Sequence, residues 1–177
     1  MKDFKNKVVV VTGASSGIGE ALAREFAAQG ARVVLGARSV QKLQLIAGDI
    51  RSKGGQAAYC AVDVTRPEEC RELIATAVRE FGGVDVLLCN AGISMRALFD
   101  DVDLEVLHRL MDVNFWGTVY CCQYALPSLQ ASHGSIVGVS SLSGLPGLPR
   151  RGGSSASAHD ITGVPRPRGC RTIRQTP

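Results

Sequence analysis

The stretch "KVVVVTGASSGIG", residues 7–19, determines how the rest of the chain should fold. Four consecutive valines favour a β-strand that is buried on both faces, as the central strands of parallel sheets are. The glycine-rich turn after them leads directly into "GIGEALAREFAAQG", residues 17–30, which has the apolar spacing of a helix. A strand, a tight turn and a helix in this order predict the first unit of a sheet whose parallel strands are joined by helices.

The same alternation continues along the chain. Further strands are predicted in "ARVVLGAR" (31–38), "AAYCAVDV" (57–64), "VDVLLCNAG" (84–92) and "GSIVGVSS" (134–141), with helices between them at 39–55, 66–83 and 103–130. Right-handed crossovers then give an α/β fold, a doubly wound parallel Rossmann-type sheet with strand order 3-2-1-4-5. Folds of this kind bind their ligands beyond the carboxyl ends of the strands, so we expect the functional residues there.

The composition narrows the class of protein. The chain has 177 residues, of which 45% are hydrophobic and 20% charged, which is typical of one globular domain and excludes a disordered or membrane-spanning chain. The N-terminal apolar run is too short for a signal peptide, which predicts a cytoplasmic protein without a membrane partner. The six cysteines lack metal-site spacing, so we expect reduced thiols and no metal site.

The C-terminal segment differs from the rest of the chain. Residues 145–177 contain six arginines, one aspartate and five of the seven prolines, so this segment carries a charge of +5 whereas residues 1–144 carry −1. We interpret residues 1–163 as an incomplete dinucleotide-binding domain and residues 164–177 as an irregular Pro/Arg-rich tail, because Pro165 and Pro167 oppose a helix. A basic tail without aromatic residues or a motif predicts no nucleic-acid partner.

The glycine turn "TGASSGIG", residues 12–19, is a candidate phosphate site. Glycines there allow backbone amides to approach a pyrophosphate, and the following helix N-terminus adds a positive partial charge. The spacing is GxxxGxG rather than the GxGxxG of the usual dinucleotide fingerprint. A tight strand-to-helix turn without any ligand is the alternative interpretation.

Several motifs together resemble the short-chain dehydrogenase/reductase family, and in particular its acyl-carrier-protein reductase and hydroxysteroid dehydrogenase branches. The motifs are Thr12, Gly13, Gly17 and Gly19, then "DVT" at 63–65, "NAG" at 90–92, Asn114 and "GSIVGVSS" at 134–141. The resemblance implies an NAD(P)-dependent oxidoreductase that transfers hydride between a nicotinamide dinucleotide and a small carbonyl or alcohol substrate. It also implies two further strands after the predicted fifth, which we expect to be missing, and a possible homodimer through the 104–130 helix.

The resemblance also implies roles for residues at the carboxyl ends of the strands. The pyrophosphate is assigned to Gly13, Ser15, Ser16, Gly17, Ile18 and Gly19, the adenine to Asp63 and Val64, and the ribose side to Asn90, Ala91 and Gly92. For Asp63 a purely structural role is also open, since an aspartate after a strand can cap the following turn.

Arg38 and Ala37 favour NADP(H) over NAD(H). NAD-specific relatives place an acid at the end of the second strand, where it hydrogen-bonds the adenosine 2′-hydroxyl. This chain has Ala37 there, followed by Arg38, whose guanidinium can pair with a 2′-phosphate. A solvated surface arginine is the alternative interpretation of Arg38.

The catalytic set that the resemblance implies is incomplete. The family uses Asn, Ser, Tyr and Lys, and Asn114 and Ser141 match the first two positions. Ser154 stands where the family has its acid/base tyrosine, and Ala158 stands where it has the lysine that lowers the tyrosine pKa. An alkanol is a far weaker acid than a phenol, and His159 lies on another helical face. The alternative function is therefore a catalytically inactive nucleotide-binding chain.

Overall fold

Strand β1 (Val8–Thr12) is the centre of the molecule, and all five of its residues are buried. The computed structural model describes residues 4–95, 103–140 and 171–174. The other strands are β2 (Arg32–Ala37), β3 (Gln56–Ala61), β4 (Val86–Cys89), β5 (Ser135–Gly138) and β6 (Arg171–Arg174). The helices are α1 (Gly17–Ala28), α2 (Val40–Ser52), α3 (Pro67–Phe81), α4 (Leu104–Met111) and α5 (Gly117–Ala131), with a π-helical turn at Asp112–Trp116.

The strands form one parallel sheet in the order β3-β2-β1-β4-β5-β6. Alternate residues of β1 face opposite layers of helices, as the period of a strand requires. Val8 and Val10 pack in the cluster that contains Leu73 of α3, whereas Val9 and Val11 pack with Leu43 of α2. Helices on both faces explain why β1 is buried at every position, and the doubly wound fold with the order 3-2-1-4-5 is confirmed.

The sheet extends one strand beyond that order. Residues 171–174 pair with β5 in parallel, with Ser135 opposite Arg171 and Gly138 opposite Arg174. The prediction of an irregular segment throughout 164–177 is therefore wrong for these four residues. The outer edge of β5 offers backbone amides and carbonyls that pairing satisfies. "RTIR" contains two β-branched residues, which favour an extended backbone.

The predicted 103–130 helix is interrupted by the π-helical turn. The Gly117 N–H donates to the carbonyl oxygen of Asp112, five residues back, instead of four. Within the turn lies the buried Asn114. Single-turn π-bulges are frequent at functional sites, so the region between α4 and α5 is a candidate part of the site.

The described residues contain neither a membrane-spanning helix nor a cluster of metal-ligating side chains. None of their helices has both the length and the apolar character needed to cross a bilayer. No group of three or more potential metal-ligating side chains lies close enough together to bind a metal ion in the described ranges.

Candidate functional site

A cleft of about 610 Å³ lies at the carboxyl ends of β1, β2, β3 and β4. It is bordered by segments that are far apart in the sequence, because parallel strands end at one edge of the sheet. The lining residues are Gly13, Ser15, Ser16, Ala37, Arg38, Ser39, Lys42, Val62, Asp63, Val64, Thr65, Asn90, Ala91, Gly92, Ile93, Arg109, Asp112 and Val113. The structure thus brings most of the residues predicted for a dinucleotide site into one concave surface.

The glycine turn forms the floor of the cleft at the end of β1. Gly13 has a φ of +65°, and a Cβ atom there would lie 2.9 Å from the Ala91 Cα. Gly17 has a φ of +57° at the start of α1, a conformation that strongly favours glycine. A side chain at position 13 would collide with the Ala91 backbone and the Asn90 side chain, so glycine permits the ends of β1 and β4 to pack closely beside the cleft.

Three residues of the predicted pyrophosphate turn lie outside the cleft lining. Gly17 and Ile18 begin α1, and the Ile18 side chain is 61% exposed. Gly19 is buried against Gly13 and the Asn90 side chain, where a methyl group would collide with both. Gly19 therefore permits the turn to pack tightly, and its predicted contact with a ligand stays a prediction.

Asn90 and Thr12 join the ends of β4 and β1. The Asn90 side-chain amide donates to the carbonyl oxygens of Thr12 at 3.1 Å and Gly13 at 3.3 Å. The buried Thr12 hydroxyl accepts hydrogen bonds from the backbone N–H groups of Asn90 and Ala91, both at 3.0 Å. These bonds fix the strand ends that the cleft uses, so Asn90 acts on the site through its geometry.

Asp63 caps the turn that leads from β3 to α3. Its Oδ1 accepts hydrogen bonds from the Thr65 N–H at 3.1 Å and from the Thr65 hydroxyl at 2.9 Å. Burial raises the pKa of Asp63, but the two bonds from Thr65 and the charges of Arg38 and Arg66 outweigh it and hold the pKa below its usual value. Asp63 is thus an anion at the cleft. The turn-capping role left open by the sequence is present, together with a position on the lining.

The cleft carries three cations: Arg38 after β2, Lys42 in the first turn of α2, and Arg109 on α4. Their side chains make no hydrogen bond or ion pair among residues 4–95 and 103–140, although the charge of Arg38 acts on Asp63. By contrast, Arg24, Lys53, Arg66 and Arg79 all pair with acids. Asp63 and Asp112 are the acids on the lining. Unpaired cations in a concave surface favour an anionic ligand. Sequence reasoning found Arg38 but missed Lys42 and Arg109.

Asn114 lies behind the cleft rather than on its lining. Its side chain accepts a hydrogen bond from the Ile93 N–H at 2.8 Å and donates to the Ile93 carbonyl at 2.9 Å. These bonds connect the π-helical turn to the segment after β4. Asn114 therefore has a structural role, and its catalytic role stays a prediction. The other two predicted catalytic positions, Ser141 and Ser154, lie outside the described residues, as does Ala158.

Comparison with known proteins gives a family. The sequence model of the short chain dehydrogenase family matches residues 7–166. A curated relative, 11-beta-hydroxysteroid dehydrogenase A of Sesamum indicum, is 42% identical over 163 residues, which are 91% of this chain and 47% of the relative. The 11-beta-hydroxysteroid dehydrogenase-like 3 of Arabidopsis thaliana is 41% identical over 150 residues. The chain spans about half the length of the curated relatives it matches.

Solved structures agree on the fold. The alcohol dehydrogenase of the archaeon Thermococcus sibiricus, complexed with 5-hydroxy-NADP, superposes with a TM-score of 0.91 at 31% identity. The matched region is 95% of this chain and 74% of the dehydrogenase chain. A short chain dehydrogenase/reductase from Burkholderia phymatum in complex with NAD gives a TM-score of 0.88 at 27% identity, over 93% of this chain and 59% of its own. The resemblance inferred from the motifs is therefore confirmed, and the chain belongs to the short chain dehydrogenase family.

Proposed function

We propose that this chain forms the nucleotide-binding part of an oxidoreductase that transfers hydride between NADP(H) and a small carbonyl or alcohol substrate. The observation that carries the proposal is the cleft of about 610 Å³ with a glycine turn at its floor and three unpaired cations on its lining. The volume lies in the range of small-molecule sites, about 300–1,000 Å³. When bound, the nicotinamide supplies the hydride chemistry.

Different residues of the cleft would bind different parts of the cofactor. The turn at Gly13, Ser15 and Ser16 would hold the pyrophosphate, because these residues line the cleft immediately before the N-terminus of α1. The adenine would lie against Asp63 and Val64, and Asn90, Ala91 and Gly92 would border its ribose, in the positions that relatives use. Arg38 and Lys42 lie together near the end of β2, where a 2′-phosphate would be located.

NADP(H) is proposed over NAD(H) on electrostatic grounds. The buried Ala37 offers no carboxylate to a 2′-hydroxyl, whereas Arg38 and Lys42 attract a dianion. Calorimetry should give tighter binding of NADPH than of NADH. The double substitution Ala37→Asp with Arg38→Ala should reverse that order, and Lys42→Ala should weaken NADPH binding while leaving NADH unchanged. Equal affinity of the unmodified chain for both cofactors would contradict the preference.

A second candidate function is nucleotide binding without turnover. The observation that favours it is the replacement of the family's acid/base tyrosine and lysine by Ser154 and Ala158. A positioned general acid contributes about 10²–10⁴-fold to such a reaction. A sample that binds NADPH by calorimetry should then show no oxidation of NADPH at 340 nm with a panel of carbonyl compounds. Turnover that persists in the unmodified chain would exclude this candidate, and His159 would then be the first residue to substitute.

We further propose a reducing, cytoplasmic location and a homodimer. The five described cysteines are all free thiols, and four of them are buried, as expected in a reducing compartment. The dimer is proposed through the 104–130 helix, where Leu104, Val106 and Trp116 are 68%, 42% and 44% exposed. Exposed apolar side chains of this kind are candidates for a protein interface, and the proposal of a dimer rests on these three.

A further inference from the structure

Gly117, the first residue of α5, packs directly against Val64. A Cβ atom at position 117 would lie 2.7 Å from the Val64 Cγ2, 2.8 Å from its Cβ and 3.2 Å from its carbonyl oxygen. Two of these distances are shorter than real Cβ contacts, and a β-branched side chain has little freedom to turn away. The absence of a side chain at Gly117 therefore permits the helix and Val64 to lie this close.

Val64 connects the helix to the cleft. Its side chain is buried, and its carbonyl oxygen accepts a hydrogen bond from the Cys70 thiol of α3 at 3.4 Å. The same residue lines the cleft beside Val62, Asp63 and Thr65. Gly117 itself is absent from the lining, but it contacts two residues that are on it, Val64 by packing and Asp112 through a backbone hydrogen bond. We call residues 62–65 the Val64 wall.

We propose that Gly117 is a positioning residue for nucleotide binding, because its missing side chain determines where the Val64 wall stands and so how much room the adenine has. The inference rests on the proposed function, which places the adenine against Asp63 and Val64. A methyl group at position 117 displaces the wall from the helix toward the cleft, where the adenine would bind. The glycine turn and the 2′-phosphate cations at Arg38 and Lys42 are left in place.

The test is Gly117→Ala, titrated by calorimetry with NADPH, with 2′,5′-ADP and with reduced nicotinamide mononucleotide. NADPH and 2′,5′-ADP should bind about tenfold more weakly, the scale on which overpacking by one methyl group acts, whereas the mononucleotide should bind as before. The matched control is Gly48→Ala in α2, where nothing lies within 4 Å of the added Cβ. This control should leave all three affinities unchanged.

A second substitution keeps the test decisive if Gly117→Ala impairs folding. Val64→Gly removes both the Cγ2 and the Cβ atoms that would collide with the new methyl group, so the double variant should fold and recover part of the affinity for 2′,5′-ADP. A double variant that folds but recovers none would overturn the proposal. So would a folded Gly117→Ala protein that binds 2′,5′-ADP like the unmodified chain. If the unmodified chain binds no dinucleotide at all, the proposed function fails and this inference fails with it.

Discussion

The Thr12 hydroxyl holds the ends of β1 and β4 together at the floor of the cleft. It accepts two backbone hydrogen bonds, from Asn90 and Ala91, and contacts the Leu88 carbonyl at 3.4 Å. Thr12→Val keeps the shape of the side chain but leaves the two N–H donors without this acceptor. We expect the free energy of unfolding in urea to fall by about 1 kcal/mol, because the two donors that lose their acceptor are only partly buried.

The control for this substitution is Thr118→Val. Thr118 is also a buried threonine, but its hydroxyl donates to the carbonyl of Asn114 at 3.0 Å, only four residues earlier in the adjoining π-helical turn. Because this bond joins residues that are close in the sequence, its loss should cost less than Thr12→Val. Equal destabilisation by the two substitutions would contradict the linking role assigned to Thr12.

Asp63 makes the stability of the fold depend on acid pH. Folding lowers the pKa of Asp63 below its ordinary value of 3.8, so the folded state binds a proton at this carboxyl less readily than the unfolded state. The stabilisation is therefore complete above pH 3.8 and is lost as the pH falls through the lower folded-state pKa. Asp63→Asn keeps an oxygen for Thr65 but cannot titrate. Between pH 5 and pH 3 the variant should lose less stability in urea melts than the unmodified chain, and parallel losses would contradict the assignment.

Single residues differ in how far the sequence reveals them. Arg38 could be predicted as a cleft residue because it directly follows the second strand, at the carboxyl end where parallel sheets bind their ligands. Lys42 and Arg109 resembled ordinary solvated cations of helices, and only the fold shows that both line the same cleft. The turn-capping bonds of Asp63 were also readable, because an aspartate two residues before a threonine forms them locally.

At the scale of elements, Gly36 and Gly48 should respond oppositely to the same substitution. Gly36 lies in β2, where a Cβ would be 2.8 Å from Leu73 and 3.0 Å from Val62. Gly36→Ala should therefore destabilise the sheet by about 1–3 kcal/mol. Gly48 is exposed in α2 with open space around it, so Gly48→Ala should stabilise the helix by about 0.5–1 kcal/mol. Urea unfolding measures both, and a shift of the same sign in both would contradict the packing described.

The helices and strands were largely predictable, and the π-helical turn was not. Apolar spacing specifies the strands around β1 and the amphipathic α3, whose start at Pro67 and end before Gly82 follow from local chemistry. The spacing in 103–130 continues through the turn without a break. Asn114, inside the π-helical turn, makes two hydrogen bonds with Ile93, which lies 21 residues earlier in the chain. Long-range bonds of this kind leave no periodic signal.

At the scale of the whole molecule, the order of the first five strands followed from the alternation of strands and helices, but β6 did not. Residues 171–174 follow a proline-rich segment whose composition opposes regular structure. The parallel pairing with β5 depends on an edge more than 30 residues earlier in the chain, which is a tertiary property. The same holds for assembly, which depends on the surface that the finished fold exposes.

The long helix supplies the surface on which we expect two copies to meet. Trp116 is 44% exposed and stacks on Tyr120 with ring centroids 5.9 Å apart, while Phe115 meets its edge at 5.2 Å. A rigid, half-exposed aromatic group of this kind is a frequent energetic centre of an interface. Trp116→Glu should therefore raise the dimer dissociation constant by about 30-fold or more, as measured by sedimentation equilibrium. Leu45→Glu is the matched control, because Leu45 is 74% exposed on α2, away from this helix. If both variants sediment with the mass of the unmodified chain, or both dissociate alike, the interface lies elsewhere.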